Sequence, residues 1–251
     1  MQLTLALRVI RAWEPFSQLP EERLAPLAES LQALQLRPGQ KLFDYTALPP
    51  GVALVSKGQL RLLSLDEREE PFTLQRIGAG EMVGHISLMR GVTGQAVAAA
   101  LPSQLWLMPQ AVFLEVLSAE EGVQRALAQP NLEELFAVAA ASPSPRTPSR
   151  TVLRDWASHQ LSEAADQQQV LVIPPGEHSF GPDWGPWLLS SSNVDGFVPG
   201  EELLGPLRVR VRGKLPARLL SKGAATPPAQ MPAALVVAAE AGGQEPEPAE
   251  A

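Results

Sequence analysis

Gly78–Leu101 reads GAGEMVGHISLMRGVTGQAVAAAL. Gly78, Gly80 and Gly84 fall within seven residues, the apolar turn Ile86, Leu88, Met89 follows, and Gly91 and Gly94 precede the small run Ala96–Leu101. Glycine reaches backbone conformations closed to other residues and admits close approach of a ligand or strand. A short helix opening just after Gly84 would aim unpaired backbone N–H groups and the positive end of its dipole outward, which is the layout of a phosphate cradle.

With those residues in this order, the stretch resembles the phosphate-binding cassette of cyclic nucleotide-binding domains, the sensor module of catabolite-activator-type regulators. The resemblance implies a jelly roll (a double-stranded β-helix). It also implies a glycine-glutamate pair opening the cassette helix, its carboxylate on the ribose 2′-hydroxyl, and further on an arginine, a serine or threonine, and an alanine. Laid on this chain, the glycine is Gly84 and the later alanine Ala96. His85 stands at the glutamate position, Gly94 at the arginine position and Gln95 at the Ser/Thr position. The cradle is kept, and both charged side chains that grip a cyclic nucleotide are missing. A charge-assisted hydrogen bond contributes about 1.5–3 kcal/mol, so losing both weakens such a ligand by roughly two to four orders of magnitude. The candidate ligand-binding residues are Gly84, His85, Ile86, Ser87, Arg90, Gly94, Gln95 and Ala96. Arg90, the only cation of the cassette, is expected at the solvent-exposed surface. At a helix start the dipole disfavours an imidazolium, so the pKa of His85 is expected to fall.

The landmarks around the cassette agree with a mainly β fold. Short apolar runs, Leu34–Tyr45, Val52–Leu65 and Pro71–Gly80, alternate with turn residues, as in an all-β sandwich or barrel. Pro38-Gly39 is a turn, Lys57-Gly58 fits a tight hairpin, and Asp66–Glu70 is a solvated turn. Gln104–Pro109 is a last strand. Helices flank the roll. Leu24, Leu27, Ala28 and Leu31 recur at helical spacing despite Pro26, and Ala111–Leu117, Ala119–Gln129 and Asn131–Ala141 continue in helical register, with Asn131 as an N-cap. These last helices suit either a dimer seam or packing back on the roll.

The 251 residues divide into a cyclic nucleotide-binding-like domain at 14–141, a proline-rich linker at 142–150, a small α+β module at 151–223 and a disordered Ala/Pro/Glu-rich tail at 224–251. In the small module, Thr151–Ala165 is a helix. Gln169–Ile173, Trp187–Ser191 and Leu207–Arg212 are strands, the last alternating arginine with apolar residues. So short a stretch is marginal alone and is expected to need the first module or another chain. Trp187, Leu188, Ser190, Ser191 and Leu215-Pro216-Ala217-Arg218-Leu219-Leu220 resemble motifs of the cytoplasmic N-terminal region of bacterial peptidase-containing ABC exporters. That resemblance implies an exporter as protein partner, a dimer mate being the other.

Composition narrows the function. A net charge of -7 argues against a nucleic-acid partner, and no basic recognition helix follows the roll. Zero cysteines exclude disulfides and thiolate chemistry. The opening MQLTLALRVIRAW is broken by Arg8 and Arg11 and reads as a helix, not a signal peptide, and no run reaches the roughly 20 apolar residues of a membrane span. A cytoplasmic protein without direct membrane insertion is expected. His85, His159 and His178 are scattered without metal-ligand spacing, so no metal is expected. Ser190–Ser192 lacks the glycines of a nucleophile elbow, and Glu81 reads as structural, so no catalytic residue is assigned. The resulting expectation is a non-enzymatic regulatory or docking module with a degraded cassette and no cofactor. The alternative is a small-molecule sensor binding a cyclic nucleotide or related anion, and a hydrolase built on Ser190 ranks third.

Overall fold

The computed structural model describes residues 2–142, 148–163 and 170–221. Most of the expected linker and all of the expected tail at 224–251 lie outside the described residues. Eight strands form the roll as two four-stranded antiparallel sheets. One runs in the order β1 (Gln32–Leu36), β8 (Ser103–Pro109), β3 (Gly51–Lys57), β6 (Met82–Val83). The other runs β2 (Lys41–Phe43), β7 (Ala96–Ala99), β4 (Leu60–Leu65), β5 (Pro71–Ile77).

The hairpin expected at Lys57-Gly58 does not form. β3 pairs with β8 and β6, whereas β4 pairs with β7 and β5, so Lys57-Gly58 carries the chain from one sheet to the other. Local turn chemistry names a reversal but not which sheet receives the next strand. Asp66–Glu70 does close the β4–β5 hairpin, the Asp66 carboxylate accepting from the Arg68 and Glu70 amides.

β3 is buried along five consecutive residues, Gly51–Val55, because both of its faces are covered. Ala53 and Val55 point into the core between the sheets, and Val52 and Leu54 into a second core under the helices. That second core holds α1 (Gln2–Arg11), α2 (Glu21–Ser30) and α4 (Gln110–Ala119) against the roll through Ile10, Phe16, Leu24, Met108 and Phe113. α2 keeps Pro26 inside it, the sixth of its ten residues, and gives up there the one hydrogen bond that the missing N–H would have made. After α5 (Glu121–Ala126), the Asn131 side chain accepts from the Glu134 amide and caps α6 (Leu132–Ala141).

α6 packs back on the roll. Leu135, Phe136 and Val138 join the core between the sheets, and Phe136 meets Phe72 edge-on with ring centroids 6.0 Å apart. α7 (Arg150–Glu163) adds Leu153 and Trp156 to the same core. Beyond it, β9 (Val170–Ile173), β11 (Trp187–Leu189), β12 (Glu202–Leu203) and β14 (Ala217–Ser221) form a sheet in the order β12-β11-β14-β9. Leu188 and Leu220, directly opposite each other in register, reach the core of the roll. Their neighbours Leu189 and Leu219 turn the other way, into a third core with Val209 and Val211. Period-two alternation thus makes this sheet a partition with apolar matter on both sides.

β10 (Gly176–Phe180) and β13 (Leu207–Val211) form a separate pair. β13 alternates as its sequence suggests, Arg208 and Arg210 exposed and Val209 and Val211 buried. β10 directly follows the Pro174-Pro175 stop, and β14 occupies the Leu-Pro-Ala-Arg-Leu-Leu segment; neither strand was expected from the sequence. Among the described residues no helix is long and apolar enough to cross a membrane, and no cluster of His, Asp or Glu could hold a metal ion.

Candidate functional site

The cassette helix α3 (His85–Arg90) starts and ends on left-handed glycines, Gly84 with φ 91° and Gly91 with φ 65°. At Gly84 the surroundings demand glycine as well. A Cβ there would sit 2.9 Å from the Phe43 ring and 3.0 Å from the Gly51 carbonyl oxygen. Ile86, Leu88 and Met89 are buried in the helical core, which fixes the face that α3 turns to the remaining structure.

The polar residues of α3 meet the N-terminal turn of α6. Ser87 Oγ donates to Glu133 Oε1 at 2.9 Å, and both residues are buried. The next residue, Glu134, is fully buried and faces the C-terminal sheet instead. Arg218 of β14 donates to it twice, Nε to Oε1 at 2.9 Å and Nη2 to Oε2 at 2.7 Å, and a third bond runs from Nη1 to the Leu127 carbonyl. Ser190 Oγ donates to Glu134 Oε1 at 2.7 Å and accepts from Arg90 Nε at 2.9 Å. Arg90 Nε also reaches the Ser190 carbonyl, and the Ser192 amide donates to the Arg90 carbonyl. A buried chain of charge-assisted bonds therefore runs from the cassette through β11 to β14 and back to α6.

The expectation that Arg90 is exposed is overturned: it is 2% exposed, enclosed by the C-terminal sheet. Burial pulls its guanidinium below the usual range, opposed by the carboxylates of Glu134 and Glu133. His85 is half-buried and its Nδ1 has no hydrogen-bond partner. Its pKa is pushed down to about 4, in the direction expected, but first by burial and then by the Arg218 charge, against the pull of Glu134. Burial pushes Glu133 up to about 7, with Ser87 and Arg90 pulling it down and Glu134 adding to the rise. Burial acts on Glu134 in the same sense, but the bonds and charge of Arg218, with Ser190 and Arg90, outweigh it and hold the group below the ordinary carboxylate range.

The remaining cassette positions divide. Ala96 is fully buried at the start of β7, and Gln95 is half-buried with its Oε1 lacking a partner. Gly94, at the expected arginine position, is exposed with φ 150° and open space around it. His85 and Ile86 line a cleft of about 280 Å³ together with Leu62, Ile77, Asn131 and Glu133. Arg90 and Gly94 take no part in lining that cleft. Glu81, at its edge, accepts from the Gly78 amide, the structural role its position suggested.

The sequence reading missed Glu133, Glu134 and Arg218. A detectable signal was present: an arginine within the apolar strand Ala217–Ser221 needs a buried carboxylate, and a Glu-Glu pair on an otherwise apolar helix supplies one. Ser190 and Ser191, considered for nucleophilic chemistry, are fully buried bridging groups, Ser191 Oγ accepting from the Arg218 amide.

Residues 33–120 match the family model of the cyclic nucleotide-binding domain. The fold is that domain's β-rich jelly roll of antiparallel strands with flanking helices. Similar solved structures include the sensor domain of the transcriptional regulator DNR from Pseudomonas aeruginosa. It is 16% identical, with 50% of this chain and 85% of that one covered and a TM-score of 0.46. The regulatory domain of Toxoplasma gondii PKA, co-crystallised with cAMP, is 12% identical over 87% of this chain and 88% of that one, with a TM-score of 0.45. A mutant regulatory subunit of a cAMP-independent protein kinase A from Trypanosoma brucei, bound to cAMP, is 14% identical over 49% of this chain, with a TM-score of 0.42. This chain covers 50% of the length of that last structure. No curated protein matches the chain.

Proposed function

We propose that the protein is a non-enzymatic regulatory or docking module, in which the cassette grips a second segment of the same chain in place of a cyclic nucleotide. The observation that carries this reading is the bonding of Arg90: the cassette's cation spends its Nε on the carbonyl and hydroxyl of Ser190. The absence of a carboxylate at His85 and of a cation at Gly94 supports the same conclusion, since neither ribose nor phosphate would find its charged partner. Calorimetric titration with cyclic AMP and cyclic GMP tests it. No saturable binding is expected below millimolar concentration, and saturable micromolar binding overturns it.

A second reading, a sensor for a cyclic nucleotide or related anion held by the Gly84–Met89 amides and Arg90, draws on the cleft beside His85. The same titration decides between the two. Association with a secretion ABC exporter rests on the two C-terminal motifs. Ser190, Ser191 and Arg218 of those motifs are buried within this chain, so an exporter or a dimer mate would meet other residues. We place the protein in the cytoplasm, without a nucleic-acid partner and without direct membrane insertion. The net charge of -7 supports the exclusion of nucleic acid.

A further inference from the structure

The clasp between cassette and C-terminal sheet contains an imbalance that the docking reading leaves unused. Among the described residues, the Nε of Arg90 bonds only neutral oxygens, whereas Arg218 holds both oxygens of Glu134. The second buried carboxylate, Glu133, is bonded by Ser87, which lies three residues before Arg90 on the same helix, and its charge is felt at Arg90. Two guanidinia and two carboxylates are thus buried close together, and among the described residues Glu133 is bonded by Ser87 alone, outside the chain that links Arg90, Ser190, Glu134 and Arg218.

We propose that Glu133 and Ser190 compete for the Arg90 guanidinium, so that protonation of Glu133 sets whether β11 and β14 stay clasped to the cassette. This rests on the docking reading above and supplies its regulation. A neutral Glu133 accepts from Ser87 and leaves Arg90 to Ser190. An ionised Glu133, buried and bonded by Ser87, attracts the Arg90 charge already felt there, and a guanidinium turned toward it leaves Ser190. The loss then spreads, because Ser190 Oγ also bridges Arg90 to Glu134.

The groups around Glu133 fit this competition. From α3 come His85, held neutral, with Ser87 and Arg90, and from α6 comes Glu134; Ser190, just after β11, and Arg218 of β14 act through Arg90 and Glu134. Glu14 and Glu81 line the same cleft as Glu133 and add no cation to it. That cleft also gives solvent protons a route to the carboxyl.

The direction follows from linkage. In the clasped state Glu133 titrates near 7, and on release it returns toward its ordinary value of 4.5, so clasping takes up a proton between those limits. The Glu133 contribution to clasping is fully present below 4.5 and is lost as pH rises to 7, by up to about tenfold per pH unit. The part of the His85 depression that comes from Arg218 of β14 opposes it up to 6.5, so the net fall is steepest between 6.5 and 7.

Amide hydrogen exchange on the intact protein, corrected for the intrinsic pH dependence of exchange, tests this. The protection of residues 187–190 and 217–221 is compared with that of the roll strands β3 and β8. The ratio is expected to fall across the window and then level, while Glu133→Gln holds it at the low-pH value throughout and Ser190→Ala lowers it at every pH. A flat ratio in the wild type, or an unchanged pH dependence in Glu133→Gln, overturns the switch. Should Glu133→Gln fail to fold, carboxyl ¹³C titration of the wild type replaces it: a Glu133 that titrates as an ordinary glutamate, or one whose midpoint does not coincide with the fall in protection of 187–190 and 217–221, overturns the proposal, and coincidence of the two near neutrality upholds it. These outcomes leave the docking reading standing, since only calorimetry with cyclic nucleotides decides that.

Discussion

Arg218 and Glu134, 84 residues apart in sequence, meet through two parallel hydrogen bonds of 2.9 and 2.7 Å with both side chains removed from water. Side-chain exposures of 6% and 0% leave neither group a substitute partner in solvent. Removing one member strands the other as a buried charge, which costs about 3–5 kcal/mol. Glu134→Ala and Arg218→Ala are each expected to lower the urea-unfolding free energy by that amount, and the joint change to Leu and Met to cost much less than the sum. Additive single and double effects would show the pair to be uncoupled.

The pH dependence of stability carries two opposed contributions. His85 is depressed from 6.5 to about 4, so its contribution is complete above 6.5 and lost as pH falls. Glu133 is raised from 4.5 to about 7, so its contribution is complete below 4.5 and lost as pH rises. Each amounts to at most about 3 kcal/mol, and between 4.5 and 6.5 their slopes cancel. The wild-type urea midpoint is expected to be flat there. In His85→Gln it should fall with rising pH, and in Glu133→Gln it should rise. Slopes of the same sign in the two variants would contradict the assignment.

Two glycines report close packing in different ways. An added Cβ at Gly51 would lie 2.1 Å from the Met108 carbonyl oxygen, so Gly51→Ala must push β3 from β8. We expect a loss above about 3 kcal/mol. At Gly84 the nearest contact is the Phe43 ring edge at 2.9 Å, added to a left-handed φ, and Gly84→Ala should cost about 1–3 kcal/mol. Thermal unfolding of both variants ranks them, and a milder loss at Gly51 would dispute the β3–β8 register.

Residues 148–221 should prove necessary to the roll. Leu153, Trp156, Leu188 and Leu220 belong to the same core as Leu135, Phe136 and Val138. A chain ending at 142 would expose that apolar face and is expected to bind a hydrophobic dye and to aggregate. A soluble, cooperative two-state unfolding of the shortened chain would refute this.

Individual elements were legible where their signals are local. The glycines framing α3, the Asp66–Glu70 turn, the Asn131 cap and the alternation in β13 each act over a few residues. The destination of β4 was not legible, since Lys57-Gly58 fixes a change of direction and leaves the choice of partner strand to distant packing. The site was half legible for the same reason. Gly84 and Ala96 could be aligned on a cassette, but the burial of Arg90 depends on Ser190, 100 residues further along. Arg90 was therefore expected at the surface, where an isolated arginine ordinarily lies.

Helix α6 places Glu133 and Glu134 side by side in its first turn, the former tied to α3 and the latter to β14. Adjacent side chains on one helix cannot be turned independently. A small rotation of α6 about its own axis would slacken one tether while straining the other, as a crank moves two rods at once. Anything that leans on that helix through its half-buried residues, Leu132, Ala137 or Ala140, would thereby act on both halves of the molecule together.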